Sequence, residues 1–113
     1  MLLPEPTTHY VNLIDVGCRL RVQIWNERPH VRFAIALEYE WADDDWRRIA
    51  CWDNWGGKVH RDRYRPDRSD YAHHEPVYDS ADTHQAITWV FKDIHDNYER
   101  YVKDFRLMGV PIG

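Results

Sequence analysis

Three segments in the first half of the chain alternate apolar and polar residues with a period of two, which is the pattern of half-buried β-strands. They span residues 18–25, 31–41 and 46–53, and the Pro, Asn and Asp residues between them predict turns. The three segments therefore predict an antiparallel meander. In the second segment, one face carries Phe33, Ile35, Leu37 and Tyr39, and the other carries Ala34, Ala36 and Glu38.

The same alternation predicts which side chains of the meander lie away from the core. In the third segment, Ile49 and Cys51 are expected to point inward. The outward set of that segment is Arg48, Ala50 and Trp52. The outer face of the meander is either solvated or a docking surface. Its polar residues are Arg19, Arg21, Gln23, Glu38 and Arg48.

The segments that flank the meander are less regular. Residues 1–8 contain two Pro and two Thr and are expected to form a loose N-terminal arm, followed by a short extended piece over residues 9–16. Residues 58–64 are expected to form a fourth short strand. Residues 65–79 contain two Pro and many charges, and are expected to form a loop.

Residues 82–107 follow a helical period. The candidate N-caps are Asp79, Ser80, Asp82 and Thr83, and Gly109 is the expected stop. Advancing about 100° per residue from Ile87 places the apolar residues inside an arc of about 120°. Trp89 falls roughly opposite this arc, so it is either a partner contact or a lone surface aromatic. The apolar arc comprises Val90, Phe91, Ile94, Tyr98, Tyr101, Val102 and Phe105.

Together these elements predict one α+β domain over residues 1–113. An antiparallel three- to four-stranded meander sheet, residues 18–64, is expected to pack on one long C-terminal amphipathic helix, residues 82–107. The sequence shows no internal repeat and no second domain. The segment that joins the sheet to the helix is the place to look for function.

Composition limits the classes of function. The net charge of −4 gives no whole-protein basic field, which argues against general coating of DNA. Six Trp and seven Tyr are typical either of an interface or stacking surface, or of a small domain that builds its core from large side chains. Aromatic surfaces are therefore candidates for binding.

Cysteine use and hydropathy favour a cytoplasmic protein. Cys18 and Cys51 are too few for a disulfide framework or a cysteine-rich zinc site, so we expect buried free thiols in a reducing compartment. No leader peptide is visible at the N-terminus, and no window approaches the length of a membrane span. We expect no membrane partner.

The richest group of chemically active residues follows the meander. If residues 58–64 are extended, His60, Asp62 and Tyr64 share one face, while Arg61 and Arg63 share the other. His73 and His74 follow in the expected loop. From residue 58 to residue 74 there are five Lys or Arg and three Asp, so this segment has a local charge of +2 in an acidic protein. That balance suits contact with a phosphate chain.

One hypothesis is metal-independent cleavage of RNA. The reaction needs a base for the 2′-hydroxyl proton, an acid for the leaving oxygen and cations for the charged phosphorane. We assign His60 as the base, oriented by Asp62, and His73 or His74 as the acid. Arg61, Arg63 or Arg65 is expected to stabilise the phosphorane charge as a clamp. Tyr64 is expected to hydrogen-bond a phosphate, and Trp52 or Trp55 to stack on a base.

A metal site made by His60, Asp62 and His73 or His74 is a second hypothesis. These ligand types suit zinc or manganese. Their spacing matches none of the familiar metal motifs, and the chain lacks a G-x-S-x-G elbow and a P-loop. We therefore expect no cofactor and no metal.

Over residues 18–105 the chain resembles the TumE-like toxin family of bacterial and archaeal toxin–antitoxin pairs. The resemblance rests on a strand that ends in Cys51-Trp52-Asp53-Asn54, on the histidine-bearing segment from His60 to His74, and on the C-terminal amphipathic helix. It implies a toxin-like protein that acts on RNA or translation and is neutralised by a small protein partner. It also implies that Asp53 and Asn54 help to bind substrate.

A non-enzymatic interaction module is the alternative function. Here Trp55, Trp89 and the arginine-bearing sheet face would contact protein or nucleic acid, as in a subunit of a defence or regulatory complex. Surfaces rich in Trp, Tyr and Arg are common at interfaces, so the composition favours this alternative as much as the first hypothesis.

Overall fold

The computed structural model describes residues 5–27, 30–79 and 82–109. These residues form six strands followed by one helix. The elements are β1 (Thr8–Asp15), β2 (Cys18–Glu27), β3 (His30–Ala42), β4 (Asp45–Asp53), β5 (Val59–Tyr64), β6 (Asp70–Tyr78) and α1 (Thr83–Met108).

All six strands form one sheet in the order β1-β2-β3-β4-β5-β6, and each pairs antiparallel with the next. The structure is α+β as predicted, but the prediction of three to four strands is wrong because β1 and β6 extend the sheet at both edges. Within the described ranges, no helix is both long and apolar enough to cross a membrane.

The two edge strands lack the pattern that reveals the inner ones. β1 is exposed along almost its whole length, so its sequence shows no buried alternation. β6 lies in the segment expected to be a loop, because Pro76 and a run of charged and histidine residues hide it. An edge strand tolerates proline because one side of its backbone pairs with no neighbour. The expected arm overlaps β1 at Thr8, and residues 1–4 lie outside the described ranges.

The inner strands and the helix agree closely with the sequence pattern. Each of β2 to β5 overlaps its predicted segment to within two residues at either end. Asp82 caps α1 by accepting a hydrogen bond from the Gln85 backbone N–H at 3.1 Å. Gly109 ends the helix as expected, and its backbone N–H donates to the carbonyl of Arg106 at 3.1 Å. Ser80, another cap candidate, lies outside the described ranges.

The predicted faces of β4 are confirmed for Arg48 and Ile49 but are wrong from Ala50 to Trp52, because the strand contains a bulge. Leu37 pairs with Ala50 but Glu38 pairs with Arg48, so Ile49 is an extra residue in β4. The bulge shifts the alternation by one position. Trp52 therefore points into the core, where it is fully buried, instead of outward.

The core lies between the sheet and α1. Val22, Ile35 and Trp52 pair in register across β2, β3 and β4 and present apolar side chains to the helix. Val90, Ile94 and Phe105 cover them from α1. Within the described ranges, no element covers the other face of the sheet, which we call the open face. The register places Arg21, Ala36 and Cys51 there, pointing away from α1.

A polar group joins the helix to the sheet within this core, and we call it the Asp93 network: Trp52, Arg61, Asp93 and Tyr101. The Asp93 carboxylate accepts hydrogen bonds from the Trp52 indole at 3.1 Å and from the Tyr101 hydroxyl at 3.0 Å. Arg61 donates to the Tyr101 hydroxyl at 2.7 Å and lies 3.8 Å from Asp93. Burial, followed by the charge of Asp93, raises the pKa of Tyr101 to about 12. Asp93 therefore anchors β4 and β5 to α1.

We predict that Asp93→Ala lowers the free energy of unfolding by about 3 kcal/mol, because it removes one of the two carboxylates that pair with Arg61 and leaves two donors without an acceptor. Urea denaturation would measure the change. The matched control is Asp96→Ala on the exposed side of the same helix, which should leave stability nearly unchanged. Equal midpoints for the two variants would contradict the anchoring role.

Candidate functional site

Pairing of β5 with β6 brings two predicted histidines into contact. His60 lies on β5 and His74 on β6, and their imidazole rings stack with centroids 3.7 Å apart and planes inclined by 10°. The Nδ1 atom of His60 is buried and makes no hydrogen bond with the described residues. The sequence alone could not place these rings together, because the strand that carries His74 was expected to be a loop.

A bulge in β6 gives this pair its geometry. Arg61 pairs with Glu75 and Arg63 with Ala72, so Asp62 faces two residues, His73 and His74, instead of one. The Asp62 carboxylate accepts a hydrogen bond from the backbone N–H of His74. His74 has a φ of 53°, a left-handed conformation that is costly for a residue with a side chain. Strain of this kind is concentrated at functional sites.

His73 lies beside the stacked pair but faces solvent. Its Nδ1 is 2.6 Å from an Asp70 carboxylate oxygen and 3.5 Å from Asp62. Its side chain is 76% exposed, and its ring centroid is 5.9 Å from that of His74. Of the two predicted acids, His74 is therefore the one placed against His60.

Asp53 completes the cluster from β4. It pairs with His60 in the β4–β5 register, and ligand atoms of Asp53, His60 and His74 all lie within 4.8 Å of one another. One Asp53 oxygen accepts a hydrogen bond from the Trp55 backbone N–H at 3.0 Å. Burial raises the pKa of this carboxyl. The sequence prediction for Asp53 was substrate binding, and its side chain lies in contact range of the histidines.

A cavity of about 390 Å³ opens on the open face next to His74. Its floor is formed by Ala34, Ala36 and Cys51, whose small side chains leave room above the sheet. Trp25 and Trp55 form one wall, edge to face, with ring centroids 5.2 Å apart. The polar residues that line it are Gln23, Arg48, Asp53 and His74.

Two arginines predicted as a phosphate clamp lie on the other side of the sheet. Arg61 and Arg63 pair in register with Trp52 and Ala50, so they point toward α1. Their guanidinium groups lie 3.1 Å and 3.5 Å from the Glu75 carboxylate. Arg61, Arg63 and the buried Trp52 therefore cannot meet a ligand bound at His60 and His74, and these three assignments are wrong.

Tyr64 and Arg65 are also near but not within the cluster. Tyr64 lies on the open face, 5.8 Å from the guanidinium carbon of Arg48, and burial raises its pKa. Arg65 begins the β5–β6 turn and donates to the Ser69 hydroxyl at 3.3 Å and to the Asp70 carbonyl at 3.1 Å. Arg65 therefore holds the turn that presents β6.

Trp89 has a partner within the chain. Its ring stacks on Tyr78 of β6 with centroids 5.1 Å apart and planes inclined by 21°. The predicted arc of α1 left Trp89 out because β6, which carries Tyr78, was not expected. Trp89 is partly buried, so it is not a lone surface aromatic, and its role as a partner contact stays a prediction.

Sequence reasoning missed Arg48, Trp25 and Gln23 as neighbours of the histidines. The alternation placed all three on the outer face of the meander, but nothing in the pattern linked that face to His60 or His74. The cavity that joins them depends on the β4 bulge and on β6. The small Ala34 and Ala36, opposite large apolar residues on the same strand, are the signal that could have indicated a hollow face.

The structure divides the residues of the expected metal site between two groups. One is Asp53, His60 and His74, and the other is Asp62, Asp70 and His73. In the first group the imidazole planes are nearly parallel, so their in-plane lone pairs run side by side. Two imidazoles that share one zinc at about 2.1 Å must instead converge on it. The first group therefore suits two separate proton transfers better than one shared ion.

Asn54 has a structural role. Its side-chain oxygen accepts from the Phe33 backbone N–H at 2.9 Å, and its amide donates to the Val31 carbonyl at 2.9 Å. It therefore supports β3, below the cavity, and has two protein partners where the resemblance implied a substrate contact.

We predict that Asn54→Ala lowers the free energy of unfolding by about 2 kcal/mol, since two part-buried backbone groups lose their partner. Chemical denaturation would measure the loss. Asn12→Ala, on the exposed strand β1, is the control and should have little effect. A variant at Asn54 that is fully stable but fails to bind RNA would instead favour the substrate-binding role.

Comparisons with known proteins identify the family but no activity. Residues 5–108 match the family described as a domain of unknown function (DUF7718). No curated protein and no solved structure matches the chain. Since the match spans well over half of the 113 residues, the chain belongs to the DUF7718 family.

Proposed function

We propose that this protein cleaves RNA without a metal, using His60 and His74 as a general acid–base pair. The observation that carries the proposal is the parallel stack of the two imidazoles, of which His74 lines the cavity on the open face. In an in-line displacement the entering and leaving oxygens lie on opposite sides of one phosphorus. Two ring nitrogens held side by side could each face one of these oxygens.

The pair offers one group for each proton transfer. His60 would take the 2′-hydroxyl proton, and His74 would give a proton to the leaving 5′-oxygen. Asp53, within reach of both rings, would balance the positive charge of the proton donor.

The rest of the cavity supplies binding groups. Arg48 would stabilise the charge that develops on the phosphorane, the role that the sequence analysis gave to Arg61, Arg63 or Arg65. Trp55, packed edge to face against the buried Trp25, offers an aromatic surface for a base, and Gln23 offers an amide that can hydrogen-bond its edge. Asp62 acts as a positioning residue, since it holds the backbone of His74.

The biological setting that we propose follows the TumE-like resemblance. The protein would be a cytoplasmic toxin whose activity is held in check by a small protein partner. Both cysteines are buried free thiols, and burial raises the pKa of Cys18 to about 11 and that of Cys51 to about 12. Such thiols are inert, as suits structural cysteines in a reducing compartment.

We predict that His60→Ala and His74→Ala each slow cleavage of labelled RNA at least about 100-fold, since each removes one proton-transfer group. Cleavage by the wild-type protein should persist in EDTA and show a bell-shaped pH dependence. His95→Ala is the matched control, because that histidine is 88% exposed on α1 and should be dispensable.

Two results would contradict the assignment of His60 and His74 as base and acid. If His60→Ala or His74→Ala cuts RNA as fast as the control, the pair is not the acid and base. If EDTA abolishes cleavage and Mn²⁺ or Zn²⁺ restores it, the metal hypothesis replaces the acid–base one. A substrate with a 2′-deoxy sugar at the cleaved position should resist, because it lacks the attacking hydroxyl.

A non-enzymatic interaction module is the second candidate, and the form of β1 favours it. β1 is an edge strand of eight residues without proline or lysine, and it exposes Val11 and Leu13. An edge of this kind is open to pairing with another chain. Absence of cleavage by wild-type protein, together with capture of a partner that Leu13→Lys prevents, would favour this candidate.

A further inference from the structure

A second cavity lies beside the first on the open face and shares Arg48 with it. It has a volume of about 280 Å³, and its other lining residues are Glu38, Trp46, Tyr64 and Arg68. We infer that this second cavity is a subsite for the phosphate group of a neighbouring nucleotide. The identity of the strand as RNA rests on the proposed function, whereas binding of the phosphate itself requires no cleavage.

The one carboxylate that lines this cavity is already neutralised. Glu38 lies 2.7 Å from Arg19 and 3.2 Å from Arg21, and it is only 8% exposed. Two guanidinium groups thus compensate one buried carboxylate. The cavity is left with the positive charges of Arg48 and Arg68, in a protein whose net charge is −4. A local cationic cavity in an acidic protein favours a specific anion over general attraction to nucleic acid.

Arg68 is held at the mouth of this cavity by a rigid turn. Its backbone N–H donates to the carbonyl of Arg65 at 2.9 Å, and Arg65 in turn donates to the carbonyl of Ser69 at 2.7 Å. Arg68 has a φ of 75°, where glycine is the favoured residue. A side chain kept at a strained position indicates a use for that side chain.

The ion pair of Arg68 does not account for this strain. Its guanidinium is 3.4 Å from Asp45, but the same carboxylate is held at 2.9 Å by Arg47. The Arg68 side chain remains 67% exposed. An exposed contact with an already paired carboxylate contributes little to stability, so Arg68 is free to serve a ligand.

The chemistry of the lining selects a phosphodiester. Guanidinium groups bind phosphate oxygens in a two-point geometry, and the Tyr64 hydroxyl can add a hydrogen bond. Trp46 supplies an aromatic surface for the adjoining nucleotide, with Arg19 stacked over its ring at 4.0 Å. Because Arg48 lines both cavities, consecutive phosphates of one strand would occupy them in turn.

Binding of an uncleavable probe tests the subsite apart from catalysis. A fluorescent single-stranded 2′-deoxy oligonucleotide, which lacks the attacking hydroxyl, would be titrated with full-length protein over a series of salt concentrations. We predict that Arg68→Ala weakens binding about 3- to 10-fold and lowers the slope of log K against log salt by about 1, as expected for loss of one phosphate contact. The matched control is Arg100→Ala, an exposed arginine on α1 that should leave both values unchanged.

The outcomes distinguish failure of the subsite from failure of the proposed ribonuclease function. A selective loss in Arg68→Ala, partly restored in Arg68→Lys, supports it, because lysine keeps the charge but not the two-point geometry. Equal affinity of Arg68→Ala and Arg100→Ala overturns it, and so does a wild-type protein that does not bind the probe. Binding that depends on Arg68 in a protein that cuts no RNA would keep the subsite and remove the proposed ribonuclease function.

Discussion

The half-buried contact between Arg61 and Asp93 is the constraint on which the second half of the structure depends. β5 turns arginines toward the helix, an arrangement that is unfavourable unless carboxylates meet them. Asp93 supplies one from α1, and Glu75 supplies another from β6. Once these charges are paired, β5 has only one way to face. The side chains that alternate with these arginines along β5 must then lie on the open face. They are His60, Asp62 and Tyr64.

Two features therefore determine the geometry of the candidate site. One is which side chains of β5 face away from α1, and the other is the extra residue in β6. Without the bulge opposite Asp62, His73 and His74 would point to opposite faces of the sheet. The bulge lets both lie near Asp62, and the bond from the His74 backbone to that carboxylate holds the strained conformation. Stability of the helix–sheet joint and geometry of the histidine pair are thus linked through one short strand.

The sequence predicts the elements that bury one face in a regular period, and it misses the features that depend on how strands pair. β2, β3 and α1 were predictable because each buries one face against the core. For β1 the sequence predicted only a short extended piece over residues 9–16, and the segment of β6 was expected to be a loop, because edge strands bury little and their residues follow no alternation. The β4 bulge turns Trp52 to the face opposite the predicted one. Because β6 was not predicted, the contact of Trp89 with Tyr78 was not predicted either. His60 and His74 were recognisable as candidates, but their contact depends on a strand register that no local pattern encodes.

The parallel stack also bears on the choice between the two chemistries considered for the histidines. A shared metal ion requires converging lone pairs. Parallel rings keep two ring nitrogens apart but adjacent, which suits a reaction that takes one proton and returns another nearby, as in the cleavage that we propose. Phosphodiester cleavage by a neighbouring hydroxyl is such a reaction. The arginine-lined cavities of the open face, which would fix the phosphate chain against these rings, suit the same substrate.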